Sequence, residues 1–217
     1  MLIGVHCPKA GGNSVISALQ IAYQGRIQLE YDESPSAVES PVTFDPVGYF
    51  NRRSIIPAGV ECIYGHLHIN KYRHVANAKR FTILREPIAN MISIYWFYRS
   101  LPANVGGLVL RYCKENDLSV LDMARIPRYR CLMSETYFGG VDMGCFDLIG
   151  RHHRWPETIN ALSSLSGVTL NNDLRMNVTP KFEERQEMES DANLRSQLSD
   201  ILRDDLVFYE RHAFKHI

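Results

Sequence analysis

The segment Pro8-Lys9-Ala10-Gly11-Gly12-Asn13-Ser14 carries residue types that can hold an anion. Two adjacent glycines let backbone N–H groups close around a charged group, and a following helix would add about half a positive charge at its N-terminus. The lysine precedes the glycines and no G-x-x-x-x-G-K-[ST] run occurs, so this is not the loop of an ATP-hydrolysing P-loop enzyme. Taken alone, the segment is equally well a tight turn with Lys9 as a solvated charge. A second constellation, Arg85, Pro87 and Ser93, joins a guanidinium suited to bidentate phosphate contact to a helix hydroxyl. Six helical residues rise roughly 9 Å, so Arg85 and Ser93 can flank one group only if the loop between strand and helix folds back. His66 is the candidate general base, since an imidazole that titrates near neutrality removes a hydroxyl proton efficiently. His68, two residues on, is the reserve.

These residues need elements to aim them. Leu2 to Cys7 is a short apolar run ended by Pro8, which predicts a buried strand. Val15, Ala18, Leu19 and Ala22 recur at helical spacing, with Ser14 as the expected N-cap and Gly25 as the stop. Residues 61–67, 80–85 and 146–150 are expected as further strands. Pro87 suits the first turn of a helix that presents Ile88, Met91, Ile92, Tyr95, Trp96 and Tyr98 on one apolar face and ends before Pro102. Shorter helices are expected over 105–116 and 119–124, another near Pro156, and a last one with Leu194, Leu198, Ile201 and Leu202 on one face. Between Asp32 and Pro57, prolines and serines break every periodicity, so 32–57 is expected as a surface excursion near the acceptor. Strands alternating with helices predict an α/β fold, a mostly parallel sheet covered on both sides. Its ligands would sit at the carboxyl ends of the strands.

The chain has 217 residues, which suits one domain over 1–217, and its 45% hydrophobic and 22% charged content is that of a globular protein. Lys plus Arg equal Asp plus Glu at 24 each, so the overall field gives no reason to expect nucleic-acid or membrane-surface binding, and any anion site must be local. Five cysteines without a CxxC pair suit reduced thiols and a cytoplasmic location. No apolar run reaches the length of a membrane span, no secretory signal is expected, and the Asn177-Val178-Thr179 glycosylation triplet is expected to be a chance match. His152 and His153, with Cys145, match no zinc spacing, so no metal is expected.

Together the motifs resemble a known family. The segment Pro8 to Ser14 resembles the donor-binding loop of PAPS-dependent sulfotransferases, and Arg85 to Ser93, with its eight-residue step, resembles their 3′-phosphate motif. Tyr64-Gly65-His66, Phe81 to Pro87 and the aromatic run Tyr95-Trp96-Phe97-Tyr98 are most similar to the carbohydrate branch that includes heparan sulfate 2-O-sulfotransferases. Phe146 to Gly150 is similar to a later strand of that branch. The resemblance covers most of residues 2–181, with gaps. It implies a P-loop-like fold and 3′-phosphoadenosine 5′-phosphosulfate (PAPS) as donor of a sulfuryl group to an acceptor hydroxyl, on a carbohydrate by this resemblance alone. It further implies that Lys9 is the catalytic lysine and His66 the catalytic histidine. Lys9, Gly11, Gly12, Asn13 and Ser14 would cradle the 5′-phosphosulfate, and Arg85 and Ser93 would hold the 3′-phosphate. Lys181, with Asn177 and Thr179, would belong to a loop closing over the nucleotide. Asn13 stands where the family usually has threonine, and His153 stands near a position where many relatives carry Glu. A kinase-like nucleotide enzyme and a catalytically silent nucleotide-binding module are the alternatives. The acceptor's identity and the oligomeric state are not legible.

Overall fold

The computed structural model describes residues 1–102, 108–171 and 183–213; Lys181, Asn177 and Thr179 lie outside them. The strands are β1 (Leu2–Val5), β2 (Ile27–Glu30), β3 (Cys62–Gly65), β4 (Lys79–Leu84) and β5 (Leu148–Arg151), in the order β2-β3-β1-β4-β5 with every pairing parallel. This is the parallel sheet flanked by helices that the alternation of elements predicts. Every residue of β1 and of β3 is buried, as expected of strands covered on both faces. One contiguous apolar core runs from Leu2 in β1 to Ala213.

The helices in chain order are α1 (Gly12–Tyr23), α2 (Pro41–Phe44), α3 (Pro46–Asn51), α4 (Pro87–Ser100), α5 (Leu108–Glu115), α6 (Val120–Arg125) and α7 (Pro127–Arg130). After them come α8 (Trp155–Ser166), α9 (Glu183–Ser190), α10 (Ala192–Ile201) and α11 (Arg203–His212). A π-helical turn occupies Leu132–Tyr137. α1 packs on β2 and β3, and α8 on β4 and β5.

Four expectations are corrected. β2 was not anticipated: it is four residues long, lies at the sheet edge and runs directly into the excursion. Its last residue, Glu30, is buried and met by Lys71 and Tyr72, which pin that edge. The N-cap of α1 is Gly11 in the left-handed region, φ 87°, and Ser14 sits inside the first turn. α4 has no single apolar face: Ile88, Asn90, Met91, Ile92, Ser93 and Ile94 are all buried, because the first two turns lie inside the protein, whereas the aromatic end is half-exposed. The excursion 32–57 is not irregular throughout, since α2 and α3 lie within it, each opened by proline at its first position.

β1 is central, between β3 and β4, with Val5 in register with both Gly65 and Thr82. The chain leaving β1, β3 and β4 therefore emerges side by side at one carboxyl edge. That edge carries the Lys9 loop, His66 and Arg85.

Candidate active site

A cavity of about 930 Å³ opens at this edge. Lys9, Gly11, Gly12, Asn13, Ser14, His66, Arg85 and Ser93 all line it, so the fold brings every described sequence candidate except His68 to one space. Arg85, directly after β4, and Ser93, on α4, both line this cavity.

The loop is held by its carbonyls. Arg85 Nη1 donates to Lys9 O at 3.1 Å, and the buried Asn90 Nδ2 donates to Pro8 O at 3.1 Å. Lys9 itself has φ 60°, a left-handed conformation that turns the chain into Gly11. A Cβ on Gly11 would lie 2.5 Å from the Trp155 ring, and one on Gly12 would lie 1.7 Å from His6 Nε2. The two glycines are thus required by close approach of aromatic rings, and at Gly11 by backbone conformation as well. The N-terminus of α1, where the helix dipole favours negative charge, lies at Gly11 to Ser14 on the cavity wall.

The electrostatics point to an anion. Lys9 is lowered to about 8 by burial, then by the nearby charges of Arg85 and Arg185. Arg85 is lowered to about 10 by burial and then by Arg185. Three cations therefore repel one another across one cavity, and the carboxylate lining it is Glu189, 2.9 Å from Arg185 Nε. Burying like charges together is costly unless a negatively charged ligand joins them. Lys9 Nζ rests 4.1 Å from the centre of the Phe97 ring, a cation–π seat beside the cavity.

The histidines divide into two kinds. His66 Nδ1 lies 2.5 Å from the Tyr137 hydroxyl, and its ring is 4.3 Å from that of His6. Burial lowers His66 to about 4, which corrects the expectation of a base titrating near neutrality: at pH 7 the ring is neutral and accepts a proton only weakly. His6 Nδ1 is 2.9 Å from the Tyr31 hydroxyl, and burial, then His66 and Lys9, hold it well below its ordinary value. His68, the reserve candidate, is structural. It is 1% exposed, its Nε2 donates to Gly139 O at 3.1 Å, and its Nδ1 accepts from Asn70 N at 3.4 Å.

Several lining residues escaped sequence reasoning. His6 directly follows β1 and could have been found from its position at the strand end. Arg185 on α9, buried at 5% exposure, had no local signal. Ser34 and Ser36 bring the excursion to the cavity, and Tyr98 and Tyr129 extend its lining with hydroxyls 2.9 Å apart. His152, His153 and Trp155, at the end of β5, form part of the wall near Gly11. Among the described residues no cluster of His, Cys, Asp or Glu could hold a metal ion, no cysteine is in a disulfide, and no helix is long and apolar enough to cross a membrane.

No protein-family model matches the chain, and a search of curated proteins found no match to it. Among solved structures, a mouse sulfotransferase, SULT7A1, complexed with PAP is 15% identical over 90% of this chain, with a TM-score of 0.35. This chain covers 64% of the length of that protein, under two thirds. A sulfotransferase from Alicyclobacillus acidocaldarius is 14% identical over 97% of this chain and 98% of its own length, with a TM-score of 0.41. At such TM-scores the likeness carries no inference about activity.

Proposed function

We propose that this chain transfers a sulfuryl group from PAPS to an acceptor hydroxyl, on a carbohydrate. The observation that carries the reading is the convergence of Lys9, Arg85 and Arg185 with the N-terminus of α1 on one cavity that also holds the neutral His66. PAPS bears a phosphosulfate on one side of its ribose and a phosphate on the other, so a site for it needs two anion cradles facing one space. The turn from Gly11 to Ser14, at the N-terminus of α1 on the cavity wall, answers the first need. Arg85 with Ser93, joined by Arg185, meets the second. The lysine stands before the glycines, which favours this donor over a triphosphate.

When bound, the donor supplies an activated sulfuryl group. The chain's own residues position it and balance charge, as in phosphoryl transfer. Lys9 faces negative charge that builds on the bridging oxygen of the leaving group, where a partly desolvated ammonium acts most strongly. His66 takes the acceptor's proton on its free ring nitrogen. The hydroxyl-rich wall of Ser34, Ser36, Tyr98 and Tyr129 suits a hydroxylated acceptor, and it is the support this structure lends to a sugar.

Thermal denaturation with adenosine 3′,5′-bisphosphate, AMP and ATP tests the donor site. The bisphosphate should raise Tm at concentrations where AMP does not, because only it engages both cradles. Equal shifts from AMP and the bisphosphate would sink the 3′-phosphate assignment. Transfer of labelled sulfate from PAPS to neutral and anionic saccharides then tests the reaction.

A further inference from the structure

A general base needs a free lone pair, and in a neutral imidazole one nitrogen carries the proton. His66 can act through Nε2 only if its proton rests on Nδ1. Nδ1 faces a phenol, and a phenol oxygen both donates and accepts. The Tyr137 hydroxyl lies 2.5 Å from His66 Nδ1, 3.1 Å from Ser36 Oγ and 3.4 Å from Ser34 Oγ, and the two serine oxygens are 3.0 Å apart. It has one proton for these partners. Given to His66, that proton would force the imidazole proton onto Nε2 and disable the base. Given to Ser36, it leaves the phenol oxygen to accept from Nδ1–H, and Nε2 stays open.

We propose that Tyr137 is the positioning residue of the base: with its proton committed to Ser36, it accepts from His66 Nδ1–H and so keeps Nε2 free for the acceptor's proton. This rests on the sulfotransferase reading only for the identity of the proton that His66 takes. As the acceptor O–H bond breaks, that proton goes to Nε2, and the resulting imidazolium donates from Nδ1 to the phenol oxygen. This order of hydrogen bonds serves both protonation states of the ring, since imidazolium has no acceptor to offer.

Placement supports the role. Tyr137 is fully buried and does not line the cavity, yet its hydroxyl contacts are to the side chains of three residues that do. It ends the π-helical turn Leu132–Tyr137, a form scarce in proteins and frequent at functional sites. Asp205 of α11 anchors that turn, accepting from Met133 N at 2.9 Å, Ser134 N at 2.8 Å and Ser134 Oγ at 2.6 Å. His68 offers the contrast: two residues from His66, it gives its Nε2 proton to a carbonyl and is fixed in the opposite tautomer.

The test is histidine 15N NMR on the full chain, in which two-bond couplings report which nitrogen holds the proton. His66 should be Nδ1–H in the wild type, and Nε2–H in Tyr137→Phe with His68 unmoved. Should Tyr137→Phe fail to fold, the Ser34→Ala/Ser36→Ala double variant, altered only on the excursion, decides: its His66 should shift toward Nε2–H. An Nε2–H His66 in the wild type, or no shift in a folded variant, overturns the proposal. In sulfate transfer, Tyr137→Phe should lose roughly tenfold in kcat, within what general-base catalysis contributes, with acceptor KM unmoved; an unchanged kcat also overturns it. The expected tautomers in a protein that transfers no sulfate would instead count against the reaction and leave the tautomer lock standing.

Discussion

Lys9, Arg85 and His66 are each held away from their ordinary titration, and under the proposed reaction each shift predicts a functional consequence. Removing the ammonium in Lys9→Ala should lower kcat by at least a hundredfold, because an electrostatic contact made in the transition state is lost. Arg85→Ala should instead weaken bisphosphate binding tenfold to a hundredfold, in line with about 1.5–3 kcal/mol for a charge-assisted hydrogen bond. Calorimetric titration separates the two, and full turnover in Lys9→Ala would refute its role. The pH profile follows from the same shifts. Activity needs charged Lys9, which is lost as pH rises through about 8, and neutral His66, which is lost only as pH falls towards about 4. A plot of kcat/KM should therefore be flat through pH 6.5, where an unperturbed histidine would bend it, and should decline near 8. An acid limb at 6.5 would contradict the buried state of His66.

At the scale of the element, the junction between β1 and α1 does two tasks that cannot be separated. It closes the sheet-to-helix turn, and it brings His6 against Gly12 so closely that any side chain there collides. His6 cannot retreat freely, since its ring stacks on Tyr64 at 5.5 Å and meets His66 and Tyr31. Gly12→Ala should thus cost about 1–3 kcal/mol of stability, the range for overpacking. It should also reduce bisphosphate affinity, as His6 or the turn is displaced. Urea denaturation with parallel binding measurements checks both. Unchanged affinity at reduced stability would mean that the turn does not cradle the nucleotide.

At the scale of the whole molecule, folding buries three histidines, His6, His66 and His68, and burial depresses their proton affinity. The sign is fixed by linkage. Between the ordinary value of 6.5 and about 4, the unfolded chain binds a proton that folded His66 refuses, so stability is intact above pH 6.5 and falls as pH drops through that window. Tm measured from pH 7 to pH 5 should decline, and His66→Gln should flatten the slope. A Tm independent of pH over this range would contradict the buried histidines.

Local features were legible in the sequence. A strand of apolar residues, a glycine turn and a helix are set by neighbours in the chain, so the glycine turn at Pro8 to Ser14 and the Arg85-to-Ser93 junction could be placed on their elements. The alternation of such units implied the parallel sheet, and with it the edge where ligands gather. β2 escaped because four residues at a sheet edge, two of them polar, carry too little periodicity to stand out. The rest was decided by tertiary structure. The distance from Tyr137 to His66 spans 71 positions of chain, and the pressure of Arg185 on Lys9 and Arg85 comes from a helix after the last strand. Which of His66 and His68 faces the cavity depends on what covers each ring. Hydrogen bonds, burial and repulsion act through space, and only the folded chain fixes which residues share it.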